Sequence, residues 1–234
     1  MFYVKNKNAQ KKFLIVSESS MFMEIVARGA EAVLYTDELY GQKVLVKERL
    51  KKQYRIEQID EKLRKERTKH EIKLIRDART VGVNTPQILE VDEEACKITM
   101  QFIEGIKVKE FFERADKSSI EKLSFEIGRS IGKLHSNDII HGDMTTSNMI
   151  MENGTGDVYF IDFGLGGYSK RIEDKGVDLR LLHGSISSSH YTVLNICWRS
   201  ILNGYREEYK NAEEVIKKID EIEGRTRYAE VKKS

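Results

Sequence analysis

The run His141-Gly142-Asp143-Met144-Thr145-Thr146-Ser147-Asn148, followed by Asp162-Phe163-Gly164, restricts this 234-residue chain more than any other feature. Phosphoryl transfer from ATP needs metal ions that bridge phosphate oxygens and a carboxylate that orients or deprotonates the acceptor hydroxyl. An Asp followed five residues later by an Asn on one tight loop serves both needs. Asp143 is expected to face the acceptor and Asn148 to reach a metal. Asp162, from the next hairpin, is expected to be the main Mg²⁺ ligand, because carboxylate and carbonyl oxygens suit this hard cation. Asp, Asn, Ser and Gly also favour turns for purely local reasons. Both runs in order, with 14 residues from Asn148 to Asp162 and a strand-like segment between them, point to a catalytic pair instead.

Two upstream features fit the same chemistry. Val44-Leu45-Val46-Lys47 puts a lysine on an apolar strand. Such a lysine pairs with the α- and β-phosphates when a helix carboxylate holds it in place. Glu71 is the expected carboxylate, with Glu66 as its competitor on the same helix. The segment Arg28-Gly29-Ala30-Glu31-Ala32 stands where a phosphate loop belongs, yet keeps only one glycine. It reads equally as a hairpin turn. A backbone amide of Gly29 or Ala30 could still meet phosphate. Glu31 should repel an incoming phosphate unless a cation pairs with it.

The chain reads as strands first and helices later, an α+β order. Short apolar or alternating runs at 13–16, 22–26, 32–35 and 43–47, separated by turn signals, predict an antiparallel sheet. Residues 56–79 predict a helix, with Ile56, Ile59 and Leu63 at spacings of 3 and 4 and lysines on another side. Pro86, the only proline, opens a strand at 87–91, and 97–103 reads as another. Residues 118–136 form an amphipathic helix with Ile120, Leu123, Ile127, Ile131 and Leu134 on one face. Hairpin-like segments around 139–150 and 158–163 follow, and the chain from about Asp174 reads as mostly helical.

The expected architecture is a minimal bilobal protein-kinase-like fold. An N-lobe over 1–104 carries the sheet and one or two helices, and a truncated helical C-lobe spans 105–234. In a nucleotide cleft between them, Met100 would form the back, and the backbone of Gln101 and Ile103 would meet the adenine edge. Val33 and Leu45 above, with Ile150 below, would sandwich the ring.

Net charge is only +2, but Lys47 to Arg79 holds 13 Lys/Arg against 7 Asp/Glu. A local basic patch attracts phosphate-rich partners even on a nearly neutral protein; it also serves as a plain solvated helix face. Two cysteines without a CxxC pair argue against a disulfide framework or a structural zinc site and fit a reducing compartment. No apolar run approaches the roughly 20 residues of a membrane span. A cytosolic protein is expected, or a nuclear one in a eukaryote.

The combination resembles the small atypical kinase of the KEOPS (EKC) complex. It is carried by Gly29-Ala30-Glu31-Ala32, Tyr54-Arg55, Arg67-Thr68, His141 to Asn148, Ile161 to Gly166, Glu173-Asp174-Lys175 and the tail Gly224-Arg225-Thr226-Arg227. The resemblance runs from about Met21 to the C-terminus. Residues 1–20 stand outside it as an added strand, a tail or an upstream start. It implies ATP and Mg²⁺ as cofactors and autophosphorylation or Ser/Thr phosphorylation in isolation. It also implies an ATPase role beside the tRNA threonylcarbamoyltransferase subunit and the other KEOPS subunits, which support threonylcarbamoyl adenosine modification of tRNA. The basic tail 225–234 and the helix 56–79 would be the places to touch tRNA.

The departures from regulated protein kinases agree with that family. Gly142 stands where an Arg usually precedes the catalytic Asp, so the usual partner of an activation-loop phosphate is missing. Thr145 replaces the usual Lys, and with Pro86 as the sole proline no Ala-Pro-Glu motif exists. Only 70 residues follow Gly164, which disfavours a conventional peptide platform. Three rivals compete: aminoglycoside- or choline-type small-molecule kinases, RIO-type kinases, which lack Asp-Phe-Gly, and a nucleotide-binding pseudokinase scaffold.

Overall fold

The computed structural model describes residues 24–219. The expected strand at 13–16, the segment 1–20 and the basic tail 225–234 lie outside the described residues.

The chain first folds into an antiparallel sheet. β1 (Glu24–Arg28), β2 (Ala32–Leu39), β3 (Gln42–Arg49), β4 (Ile88–Asp92) and β5 (Lys97–Gln101) stand in the order β1-β2-β3-β5-β4. Tyr40 and Gly41, both at positive φ, turn β2 into β3. Side chains alternate between the two faces of a strand, so the register decides which residues face the interior. Leu34 lies opposite Lys47, Tyr35 opposite Val46, and Leu45 opposite Met100. Tyr35, Val44 and Val46 therefore pack together on one face, with Val33 against them. Leu45, Ile98 and Met100 pack on the other face with Ile72 of the helix α1 (Glu57–Thr80).

Helix α1 covers the predicted span, but its buried stripe is not the predicted one. Ile56 and Ile59 stay exposed, while Asp60, Thr68, Glu71, Ile72, Leu74, Ile75 and Ala78 are buried. The first half of the helix thus presents polar and charged groups inward. Its second half joins the main apolar core through Leu74, Ile75 and Ala78.

After β5 the chain forms β6 (Gly105–Lys107), α2 (Val108–Arg114) and α3 (Lys117–Ser136). The seven-residue α2 has no counterpart in the sequence reading. Asp116 caps α3 by accepting from the Ser119 amide at 3.0 Å, the usual way to satisfy a free helix N-terminus. The predicted stripe Ile120, Leu123, Ile127, Ile131 and Leu134 is buried. The segments expected as hairpins pair differently. β7 (Ile139–Ile140) pairs with β10 (Gly167–Tyr168), while β8 (Met149–Glu152) lies between β6 and β9 (Val158–Phe160). Helices α4 (Ile172–Ser189) and α5 (Leu194–Glu208), then helical turns at 212–219, complete the described chain. Among the described residues no helix is long and apolar enough to cross a membrane.

Candidate active site

Lys47 projects from the inner face of β3 and meets two acids. Its Nζ lies 2.6 Å from Glu71 Oε1 and 2.8 Å from Asp162 Oδ1. Glu71, not Glu66, is the helix partner, and Glu66 instead faces Lys62 at 3.9 Å on the exposed side of α1. Glu71 also takes Arg49 Nη2 on its other oxygen at 2.6 Å. Lys47, Arg49 and Glu71 are all buried. Two cations on one buried carboxylate hold β3 against α1, and removing that carboxylate would leave both charges uncompensated.

Asp162 sits at the end of the segment after β9 with φ +63, a left-handed conformation that Asp tolerates better than most residues. Its Oδ1 also accepts the Gly164 amide at 3.3 Å. Burial pushes this carboxyl up, but the Lys47 ammonium beside it wins and holds it below the ordinary carboxylate value. The other oxygen accepts no hydrogen bond among the described residues. The side chain remains about half exposed, at 49%.

The loop from His141 to Asn148 is tied to Asp162 through the backbone. The Ile161 amide donates to the Asn148 carbonyl at 3.0 Å. His141 Nε2 lies 3.1 Å from the Ile161 carbonyl, and the Asp143 amide donates to His141 Nδ1 at 3.3 Å. These contacts fix the proton on Nε2. Burial lowers the His141 pKa, which keeps the ring neutral. Its ring centroid lies 4.5 Å from that of Phe163, tilted by 44°, and Phe163 is fully buried. Asn148 Nδ2 donates to Asp143 Oδ2 at 2.8 Å and to the Asp143 carbonyl at 2.9 Å. Asn148 thus fixes the Asp143 carboxylate, and its own amide oxygen accepts no hydrogen bond among the described residues.

Beneath this loop lies an anchor that the sequence reading missed. Asp178 of α4 is fully buried and accepts the His141 amide on Oδ2 at 2.7 Å and the Gly142 amide on Oδ1 at 2.9 Å. His135 Nε2 stands 3.4 Å from the same carboxylate and is steadied by the Tyr205 hydroxyl 2.9 Å from its Nδ1. Burial alone would raise the Asp178 pKa, but the hydrogen bond and charge of His135 bring it down. An acid in register with Leu182 and Ile186, at helical spacings of four, was the available signal. Gly142 has φ +80, and a Cβ there would stand 2.1 Å from the Leu165 carbonyl oxygen. Glycine is therefore the residue that lets the segment after Gly164 close over the loop. That segment is also held to α1, where His70 Nε2 meets the Gly166 carbonyl at 3.0 Å and Tyr168 donates to Asp77 at 2.6 Å.

The glycine turn is not free to act as expected at every position. The Gly29 amide is spent on the Ala32 carbonyl at 2.9 Å, which leaves Ala30 as the open backbone donor. Lys52 holds the Ala30 carbonyl and Arg67 pairs with Glu31. The Arg67 hydrogen bond, against a smaller opposing burial effect, keeps Glu31 ionised below its ordinary pKa.

Around the expected adenine cleft, Leu45 and Met100 face each other on the inner side of the sheet, and Ile103 is buried. Val33 does not belong there. It shares the outer face with Tyr35 and Val46, and one-residue alternation gives its expected place to Leu34, opposite Lys47. The Gln101 amide donates to the Gln87 carbonyl at 2.9 Å, so only its carbonyl is left to address a ring amino group. Ile150 on β8 packs against β6, its neighbour in the same sheet: a Cβ on Gly105 would stand 2.8 Å from Ile150 Cγ2 and 2.2 Å from the Met151 carbonyl.

A metal centre built from protein side chains alone is absent here. No group of three His, Cys, Asp or Glu could hold an ion among the described residues. The free Asp162 oxygen and the Asn148 amide oxygen are instead two hard donors. That suits Mg²⁺, which keeps waters and takes the rest of its shell from substrate phosphates. The basic face of α1 is largely matched by acids: Lys65 by Glu61 and Glu94, and Lys69 by Glu93.

Comparison with known proteins agrees with this geometry. A family model described as the RIO domain matches residues 38–165, so the RIO-type reading and the atypical-kinase reading converge even though Asp162-Phe163-Gly164 is present. The KEOPS complex subunit Bud32 of Pyrococcus abyssi is 46% identical over 89% of this chain and 97% of its own length. A probable bifunctional tRNA threonylcarbamoyladenosine biosynthesis protein of Methanobrevibacter smithii is 43% identical over 87% of this chain, which spans only 36% of that longer protein. Among solved structures, WaaP in a complex with acyl carrier protein superposes with a TM-score of 0.62 at 13% identity, covering 87% of this chain and 88% of that one. This last likeness concerns the protein-kinase-like fold alone. By its matched domain and its identity along nearly the whole length of a relative, the chain belongs to the RIO-domain atypical kinases, in the family of the KEOPS complex subunit Bud32.

Proposed function

We propose that this chain binds Mg-ATP between a lobe of residues 1–104 and a lobe of residues 105–234. There it transfers the γ-phosphoryl group to a Ser/Thr hydroxyl or to water. The observation that carries the reading is the contact of Lys47 with both Glu71 and Asp162, beside Asp143 held by Asn148. Lys47 would neutralise the α- and β-phosphates while Glu71 keeps its side chain in position. Asp162 and Asn148 would supply the oxygens for Mg²⁺, which when bound offsets the charge of the phosphate oxygens. Asp143 would accept the proton of the attacking hydroxyl or water on its carboxylate. The adenine ring would lie between Leu34 and Leu45 above and Ile150 below, with Met100 behind and the Gln101 carbonyl and Ile103 backbone at its edge. Ala30 would offer the glycine turn's free amide to phosphate.

The relatives named above motivate the wider role. This chain would work as the kinase or ATPase subunit of a KEOPS assembly, beside a tRNA threonylcarbamoyltransferase subunit, in threonylcarbamoyl adenosine formation. The tail 225–234 would contact tRNA or that subunit. Since the lysines of α1 are largely matched by acids, the tail is favoured over the helix 56–79.

The test is single-turnover transfer from radiolabelled ATP, with and without the partner subunit. Asp162→Ala should abolish Mg-dependent turnover with the fold intact. Asp143→Ala should slow it by ~10²–10⁴, the range for a positioned base. Full activity in Asp162→Ala would reject the metal assignment. A change confined to ATP affinity in Asp143→Ala would reject the base.

A further inference from the structure

A recess lies between the glycine turn, the end of β3 and the first half of α1. Arg49, Lys52, Arg55, Arg64 and Arg67 line it together with Glu31. The acids nearby do not match this charge. Buried Asp60 takes Arg64 Nε on Oδ2 at 2.8 Å and stands 3.5 Å from Arg55 Nη1 through Oδ1. Glu31 pairs with Arg67. Glu71 takes Arg49 but shares itself with Lys47. Among the described residues the Lys52 ammonium has only the neutral Ala30 carbonyl as a hydrogen-bond acceptor.

The decisive group is Arg49. Its side chain is 4% exposed and spends Nη2 on Glu71, yet Nε and Nη1 are buried without a hydrogen-bond partner among the described residues. Such donors are rarely left unmet, and a bound ion is one of the things that meets them. A guanidinium presents its donors in a rigid planar fork that matches two oxygens of a tetrahedral oxyanion. The floor of the recess is the buried Arg49, while Arg67 and Glu31 at its mouth are about half exposed. The recess as it stands has room for only about 10 Å³, so Lys52 and the half-exposed Arg67–Glu31 pair at its mouth must turn aside to admit an ion. A small free ion needs less of that movement than a phosphodiester with its sugars.

We propose that this recess is a second oxyanion site, which takes free inorganic phosphate beside the nucleotide cleft and independently of the nucleotide. The two places adjoin through one residue, because Glu71 bonds Lys47 with one oxygen and Arg49 with the other. ATP hydrolysis in the cleft would supply the ion, a link that rests on the function proposed above. Binding of added phosphate does not rest on it, so the two can fail separately.

The experiment is calorimetric titration of the full chain with sodium phosphate, without nucleotide, against sodium chloride at matched ionic strength. A single saturable site is expected. Lys52→Gln with Arg55→Gln should weaken it at least about tenfold. Arg49→Lys, which keeps a cation toward Glu71 but removes the fork, should do the same. Adding Mg²⁺ and a non-hydrolysable ATP analogue should leave the affinity within about twofold. Absence of a saturable site, unchanged affinity in both variants, or uptake of an oligonucleotide in place of the free ion would overturn the proposal. Competition by the analogue would also overturn it, since the ion would then occupy the nucleotide's own phosphate position.

Discussion

Replacing Asp178 tests whether a buried carboxylate in α4 holds the catalytic loop. In Asp178→Ala the amides of His141 and Gly142, at 2.7 and 2.9 Å from the carboxylate, lose their acceptor in a fully buried place. Each orphaned donor costs roughly 1–3 kcal/mol, about 2–6 kcal/mol for the two, and within that span the cost of a broken buried pair, about 3–5 kcal/mol, is expected. At this chain length each kcal/mol moves Tm by about 2–4 °C, which gives a fall of about 6–20 °C. Asp178→Asn keeps the volume but has one acceptor oxygen for two amides, so it should lose about half as much. In both variants Asp143, directly after these two residues, shifts, and a displacement near 1 Å costs about 10²-fold in turnover. The Asp178 pKa is lowered from its ordinary 3.8. Its contribution is therefore complete above the unfolded value and disappears as pH falls through the lower folded value. The Asn variant should lose that acid limb. Thermal melts from pH 3 to 7 (spanning about one unit below to three above the ordinary carboxylate pKa) and an ADP-coupled turnover assay measure both effects. A variant with unchanged Tm and full turnover would refute the anchoring argument.

Glu71→Gln should destabilise the chain by about 3–5 kcal/mol, because Lys47 and Arg49 both lose a buried counter-charge; an unchanged urea midpoint would contradict this. Gly142→Ala adds backbone strain of about 1–3 kcal/mol and a methyl 2.1 Å from the Leu165 carbonyl. A lower Tm and slower turnover are expected together, and wild-type values for both would show that the segment after Gly164 does not press on the loop. Glu31→Gln should leave Tm nearly unchanged, as exposed pairs are worth about 0–1 kcal/mol. It should tighten ATP binding, read by titration, since the Arg67 charge that the carboxylate now offsets is released beside the glycine turn; weaker binding would contradict that reasoning.

The groups proposed to carry the chemistry were the most legible part of the sequence. Lys47, Glu71, Asp143, Asn148 and Asp162 stand at spacings that ordinary turns and helices do not demand, and the structure brings them together. Helix α3 was legible through a sustained 3.6-residue period, while α1 was placed over the right span although Ile56 and Ile59 of its expected stripe stay exposed. What failed depended on register or on distant partners. Ala32-Val33-Leu34-Tyr35 is apolar on both sides, so nothing local says which of Val33 and Leu34 faces Lys47; the pairing with β3 across the Tyr40-Gly41 turn decides it. Strands β7 and β10 are two residues long and exist only because they pair with each other. The seven-residue α2 is too short to display a period. Arg49 and Asp178 reveal their roles only when Glu71 and the His141-Gly142 amides arrive from far along the chain.

The most direct test is a crystal structure grown with Mg²⁺ and a non-hydrolysable ATP analogue. Asp162 and Asn148 oxygens should ligate the metal at about 2.0–2.1 Å, with Lys47 turned from Asp162 onto the phosphates and Asp143 facing the γ-phosphate. A nucleotide bound elsewhere, or a metal held without Asp162, would contradict the account.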